Sequence, residues 1–159
     1  MTLENAFGTS FNADAVRTRT FTLNGNQFKV KVPLTAEIEA LYERVKVVDE
    51  SKVAKYYADL SKEFFDNKDK YEGDPDIEIK DADIFIKGRS LLETARSKVI
   101  TENRITEMVR LLVPEDKDFD MSKVSYEDID ALFPFGVQLE LIDEINSVIA
   151  PSYAANKKK

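Results

Sequence analysis

Asp116, Asp118, Asp120 and Glu127 fall at positions one, three, five and twelve of the run DKDFDMSKVSYE, residues 116–127. That is the ligand spacing of an EF-hand-like calcium loop, in which carboxylate oxygens from one loop between two helices surround the ion. The pattern departs from an EF-hand at two places. Position six, where a sharp turn needs glycine, is Met121, and position eight, normally apolar, is Lys123. The same residues also read as a solvated acidic linker that leaves Pro114 and enters a helix capped by Ser125. Other chemistry is harder to build. The chain has no Cys and no His, so a nucleophile would be Ser, Thr or Lys with an unusual base, and no G-x-S-x-G turn is present. Thirty Asp and Glu residues offer many carboxylate pairs, which is why no single pair stands out as acid and base. The five glycines form no phosphate cradle. The expectation is a protein with no catalytic residue and no cofactor, and with 116–127 as its one candidate metal site.

Binding surfaces offer more. Phe133 and Phe135 flank Pro134, and Val137 and Leu141 follow at helical spacing. Exposed aromatic residues are frequent interface anchors, so these four are the candidate partner-binding residues; the alternative for each is burial in the core. Phe64, Phe65 and Tyr71 pose the same choice.

The elements that would position these groups follow from periodicity. FTLNGNQFKVKV alternates about an Asn-Gly pair suited to a type I′ turn, which sets Phe21 opposite Phe28. Phe21, Leu23, Phe28, Val30 and Val32 then share one face, with Thr20, Thr22, Lys29 and Lys31 on the other. A hairpin over 17–32 is expected, its apolar face covering helices; its outer edge could instead take a partner strand. Pro33 ends it. Thr35 is the expected N-cap of a helix carrying Ile38, Leu41, Tyr42, Val45 and Val48, with a break near 49–51 before the stripe resumes at Val53, Tyr56, Tyr57, Leu60 and Phe64. Residues 66–76 read as a polar loop, and Ile77 and Ile79 as a short strand. From Ile84 and Phe85 through Leu112, one long or two consecutive helices run to Pro114. Ser125 with Asp128 reads as a capping box, and a last helix carries Val137, Leu141, Ile145 and Val148 up to Pro151. The fold class is mostly α, a helical region over 35–150 with an N-terminal β-hairpin.

Composition bounds the rest. A chain of 159 residues, 43% hydrophobic and 33% charged, suits a single domain, with 1–15 and 152–159 expected to be disordered. A net charge of −7 argues against a nucleic-acid partner, no stretch approaches a membrane span, and the first residues lack the regions of a signal peptide. A cytoplasmic location is expected.

The order of hairpin FTLNGNQFKVKVPLTAEIEALYERV, middle segment KGRSLLETARSKVITENRITEMVRLLV and ending FPFGVQLELIDEINSVIAPSYAANKKK resembles the tail assembly chaperones of long-tailed bacteriophages. The likeness covers most of the chain and lies in pattern, with no invariant motif. It implies a non-catalytic protein of the host cytoplasm that coats the tape measure protein and keeps it soluble while the tail tube polymerises, and that is absent from the finished virion. In that family a fraction of ribosomes shift frame near the end of the gene and add a domain that contacts tail tube protein. Asn156 and Lys157–Lys159 require an A-rich coding tract on which such slippage could occur; the alternative is a plain solubilising tail. A phage structural protein, as a head-tail connector or minor tail component, is the competing reading, with a calcium-binding module behind it.

Overall fold

The computed structural model describes residues 2–150, and the fold is mostly α with an N-terminal hairpin, as the periodicity predicts. The contacts of the described residues sort them into two compact units, 2–42 with 105–150, and Glu43–Arg104. Each has its own apolar cluster. No helix among the described residues is long and apolar enough to cross a membrane. The expected end of the last helix at Pro151 and the 152–159 tail lie outside the described residues.

The first unit opens with two short helices, α1 (Leu3–Ala6) and α2 (Ala13–Arg17), where disorder was expected. Side chains supply the difference: Thr2 accepts from the Asn5 amide and Asn12 from the Ala15 amide, each satisfying a helix-end donor. Strands β1 (Thr18–Leu23) and β2 (Asn26–Lys31) then pair antiparallel, Phe21 opposite Phe28. Asn24 and Gly25 take φ of 51° and 82°, the two positive values a type I′ turn demands. The outer edge of β2 is partly occupied, because the Lys31 amide donates to Leu111 at 2.9 Å and the Val113 amide to Lys29 at 2.8 Å. Arg17 forms an ion pair with Glu37 at the start of α3 (Thr35–Lys46). Thr35 is not the cap of that helix; it already lies inside it, and the Glu37 carboxylate reaches back to the Leu34 amide at 2.8 Å.

In the second unit α4 (Glu50–Asp66) follows the break foreseen at 49–51, with Asp49 as its cap and Ser51 as the residue that donates to it. Asn103 closes the preceding helix end, donating to the carbonyls of Val45 and Val47 at 3.1 and 2.8 Å. Val53, Ala95 and Val99 form the buried cluster, with Tyr56, Tyr57 and Leu92 packed against it. After α5 (Lys68–Tyr71) come β3 (Ile77–Ile79), β4 (Ile84–Ile86) and β5 (Arg89–Ser90) in one antiparallel sheet. Ile84 and Phe85 were expected in a helix. Lys87 and Gly88, at φ of 51° and 80°, turn the chain instead, so the stretch pairs as strand and α6 (Leu91–Val109) begins only after it.

The first unit resumes within α6. Beyond it lie a 3-10 turn at Met121–Lys123, α7 (Tyr126–Leu132) and α8 (Phe135–Ile149). Ile105, Met108 and Val109 of α6 and Leu141, Ile142 and Ile145 of α8 recur at the three- and four-residue spacing of one helix face. They join Phe21 and Val30 of the hairpin in the core. The hairpin therefore lies over helices, as its apolar face required.

Candidate apolar groove between the hairpin, the acidic loop and α7

Around residues 109–133 the first unit leaves a groove of about 310 Å³. Val109 and Leu112 come from the end of α6, and Phe28 from the hairpin. Phe119, Met121 and Val124 come from the loop; Ile129, Leu132 and Phe133 come from α7 and its end. The pairing of 111–113 along β2 is what carries the end of α6 beside Phe28. The wall is almost wholly apolar, and Asp128 is its one acidic residue.

Three polar devices hold the groove open. Arg110 donates through Nε and Nη2 to the Val124 carbonyl at 3.0 and 2.8 Å and through Nη1 to Glu107, fastening the loop back to α6. Ser125 and Asp128 form the capping box read from the sequence, each accepting from the other's backbone amide. Gln138, fully buried, donates to Asp130 and to the Phe133 carbonyl at 3.0 and 2.8 Å and accepts from the Tyr126 hydroxyl at 2.9 Å. That set cross-links α7 to α8. A lone buried Gln has no sequence signature, and nothing in the residue order marked it.

The calcium-loop spacing does not assemble. Among the described residues no group of three or more acidic side chains is placed to hold an ion. Asp116 accepts from the Asp118 amide at 2.9 Å, and Asp120 from the amide and hydroxyl of Ser122 at 3.0 and 2.6 Å, capping the 3-10 turn. Met121 starts that turn and so does not make the bend an ion site needs. Glu127 sits in the first turn of α7. Hydrogen bonds from the Ser122 hydroxyl and amide hold the Asp120 carboxyl below its ordinary 3.8, and those from the Ser125 amide and hydroxyl do the same for Asp128.

The four partner-binding candidates divide. Phe133 lines the groove while packing against the core, Phe135 is 52% exposed, and Val137 is half-buried. Leu141 is fully buried in the core and cannot meet a partner, which corrects its assignment. From Val113 onward, the exposed apolar residues that sequence reading missed are Val113, Phe119, Leu132 and Leu139.

No protein-family model, curated protein or solved structure matches this chain.

Proposed function

We propose that the chain is a tail assembly chaperone of a long-tailed bacteriophage, a non-catalytic protein of the host cytoplasm that binds the tape measure protein and keeps it soluble while the tail tube polymerises. The observation that carries this reading is the groove, where Val113, Phe119 and Leu132 stand exposed on a unit whose core is already complete. Apolar side chains in a concave wall are what a client with apolar helix faces requires. A net charge of −7 suits a carrier that must keep a loaded complex in solution. A longer, frameshifted form that contacts tail tube protein belongs to the same proposal; its coding tract, at Asn156–Lys159, lies outside the described residues.

Co-expression tests it. With this protein the tape measure protein of the same phage should move from the insoluble to the soluble fraction, in a complex that persists at high salt because apolar contacts are not screened. A client that stays insoluble refutes the reading. Purified virions provide the contrast with a structural protein: a chaperone is missing from them, and its presence at tube-like copy number favours a connector or minor tail component.

A further inference from the structure

We propose that the occupant of the groove is an amphipathic helix of a partner chain whose apolar anchors are flanked by Lys or Arg. The inference rests on the chaperone reading only in taking the occupant to be a separate chain. Its size comes from the groove, which at about 310 Å³ is roughly twice the 150 Å³ engineered cavity that takes benzene. It has room for about two large side chains, as one face of a helix supplies them.

The sign of the occupant's charge comes from the segment that forms the loop and α7. Residues 115–130 carry seven carboxylates against two lysines, so this short stretch holds most of the chain's net −7. Phe119, 54% exposed, stands between Asp118 and Asp120. An anchor entering beside it brings its neighbours in sequence near a segment rich in carboxylates, of which Asp128 lines the groove itself. Asp128 belongs to the wall and Asp120 follows Phe119 in the loop, and carboxylates at these places attract cationic flanks and repel anionic ones. The wall opposite, from Phe28 to Leu112, is apolar.

The test uses two synthetic helical peptides with the same Leu and Phe anchors at i, i+3 and i+7, one flanked by Lys and Arg, the other by Glu. Each is titrated into the full chain by fluorescence anisotropy, and the contacts are mapped by amide chemical shifts. The basic peptide should bind at least about tenfold more tightly than the acidic one, with shifts centred on Val113, Phe119 and Leu132. Leu132→Asp, at a site 72% exposed and so harmless to folding, should weaken binding by about tenfold. Glu115→Lys with Asp118→Lys should narrow the gap between the peptides. Equal binding of both peptides, shifts elsewhere, or indifference to Leu132→Asp overturns the proposal. So does a dimer in sedimentation that Leu132→Asp dissolves, which makes a second copy the occupant, or a gain above tenfold on deleting 151–159, which makes it the chain's own tail. The two readings fail separately: peptide selectivity with an insoluble tape measure protein removes the chaperone and keeps the groove, whereas solubilisation that Leu132→Asp leaves intact does the reverse.

Discussion

Phe21→Ala is the sharpest test of the first unit. Phe21 is 8% exposed, and its ring stacks on Phe28 with centroids 5.2 Å apart and planes 20° apart. Truncating a buried Phe removes its transfer free energy and leaves a cavity, a loss of about 3–5 kcal/mol in well-packed cores. For a chain of this length that is about 6–20 °C in melting temperature. Phe28 is only half-buried, since one side of its ring borders the groove, so Phe28→Ala should cost less, about 2 kcal/mol. The stacking itself should appear as a coupling of about 0.5–1.5 kcal/mol in the double-mutant cycle. The assay is urea unfolding followed by far-ultraviolet circular dichroism, analysed for two transitions because the chain has two units. A loss below about 1 kcal/mol for Phe21→Ala would place the hairpin outside the core, and additive single effects would mean that the two rings do not support each other.

Two further outcomes follow from polar groups. Gln138→Leu should cost about 1–3 kcal/mol, because Leu fills the space but removes the buried amide that donates to the Phe133 carbonyl and to Asp130; a thermal melt unchanged within error would contradict that role. Stability should also fall in acid. Asp83 shows why: burial works to raise its pKa, but donors at Ser90, Leu92 and Ile84 outweigh it, and hydrogen bonding likewise holds Asp49 and Asp128 below 3.8 and Glu50 below 4.5. The unfolded chain takes up these protons at higher pH than the folded one. The stability they contribute is therefore complete above the ordinary carboxylate range and is lost as pH falls through it toward the folded values. Urea midpoints measured from neutral pH down to pH 3 check the direction, and Asp83→Asn should flatten part of the slope.

The hairpin was legible down to its register because two independent signals agree: alternation says strand, and Asn-Gly says which two residues turn. The capping box at Ser125 was legible for a similar reason, since both of its partners lie within one turn. Ile84 and Phe85 misled because their spacing to Leu91 and Leu92 also fits a helix, and the turn that separates them uses Lys87 at positive φ, a choice with no marker of its own. Asp116, Asp118 and Asp120 fit an ion loop on paper, yet the Asp118 amide and the Ser122 amide and hydroxyl, each within two residues, claim oxygens of Asp116 and Asp120. Leu141 shows a different limit. The stripe Val137, Leu141, Ile145, Val148 says that α8 has an apolar face, but the same stripe serves a core and a docking surface, and only packing tells them apart.

That distinction is the reason for placing function at the groove. Single exposed apolar residues are ordinary on any surface, and Leu3, Val47 and Leu60 call for no explanation. Val113, Phe119 and Leu132 differ because they line one concavity, walled by residues from four separate parts of the chain. Phe119 is the most telling of the three. Phe21 is drawn into the core, whereas Phe119 stands 54% exposed between two aspartates and against the groove. Leu132 makes the same point from a helix: Ile129, one turn earlier, is 3% exposed and completes the core, whereas Leu132 is turned out at 72%. Both residues leave apolar area in water that burial would stabilise by about 25 cal/mol per Å². On the proposed mode of binding, a partner helix recovers that energy. The acids beside Phe119 then discriminate among partners that offer the same apolar anchors, since they add little attraction of their own at an exposed rim but oppose any partner that brings carboxylates to it.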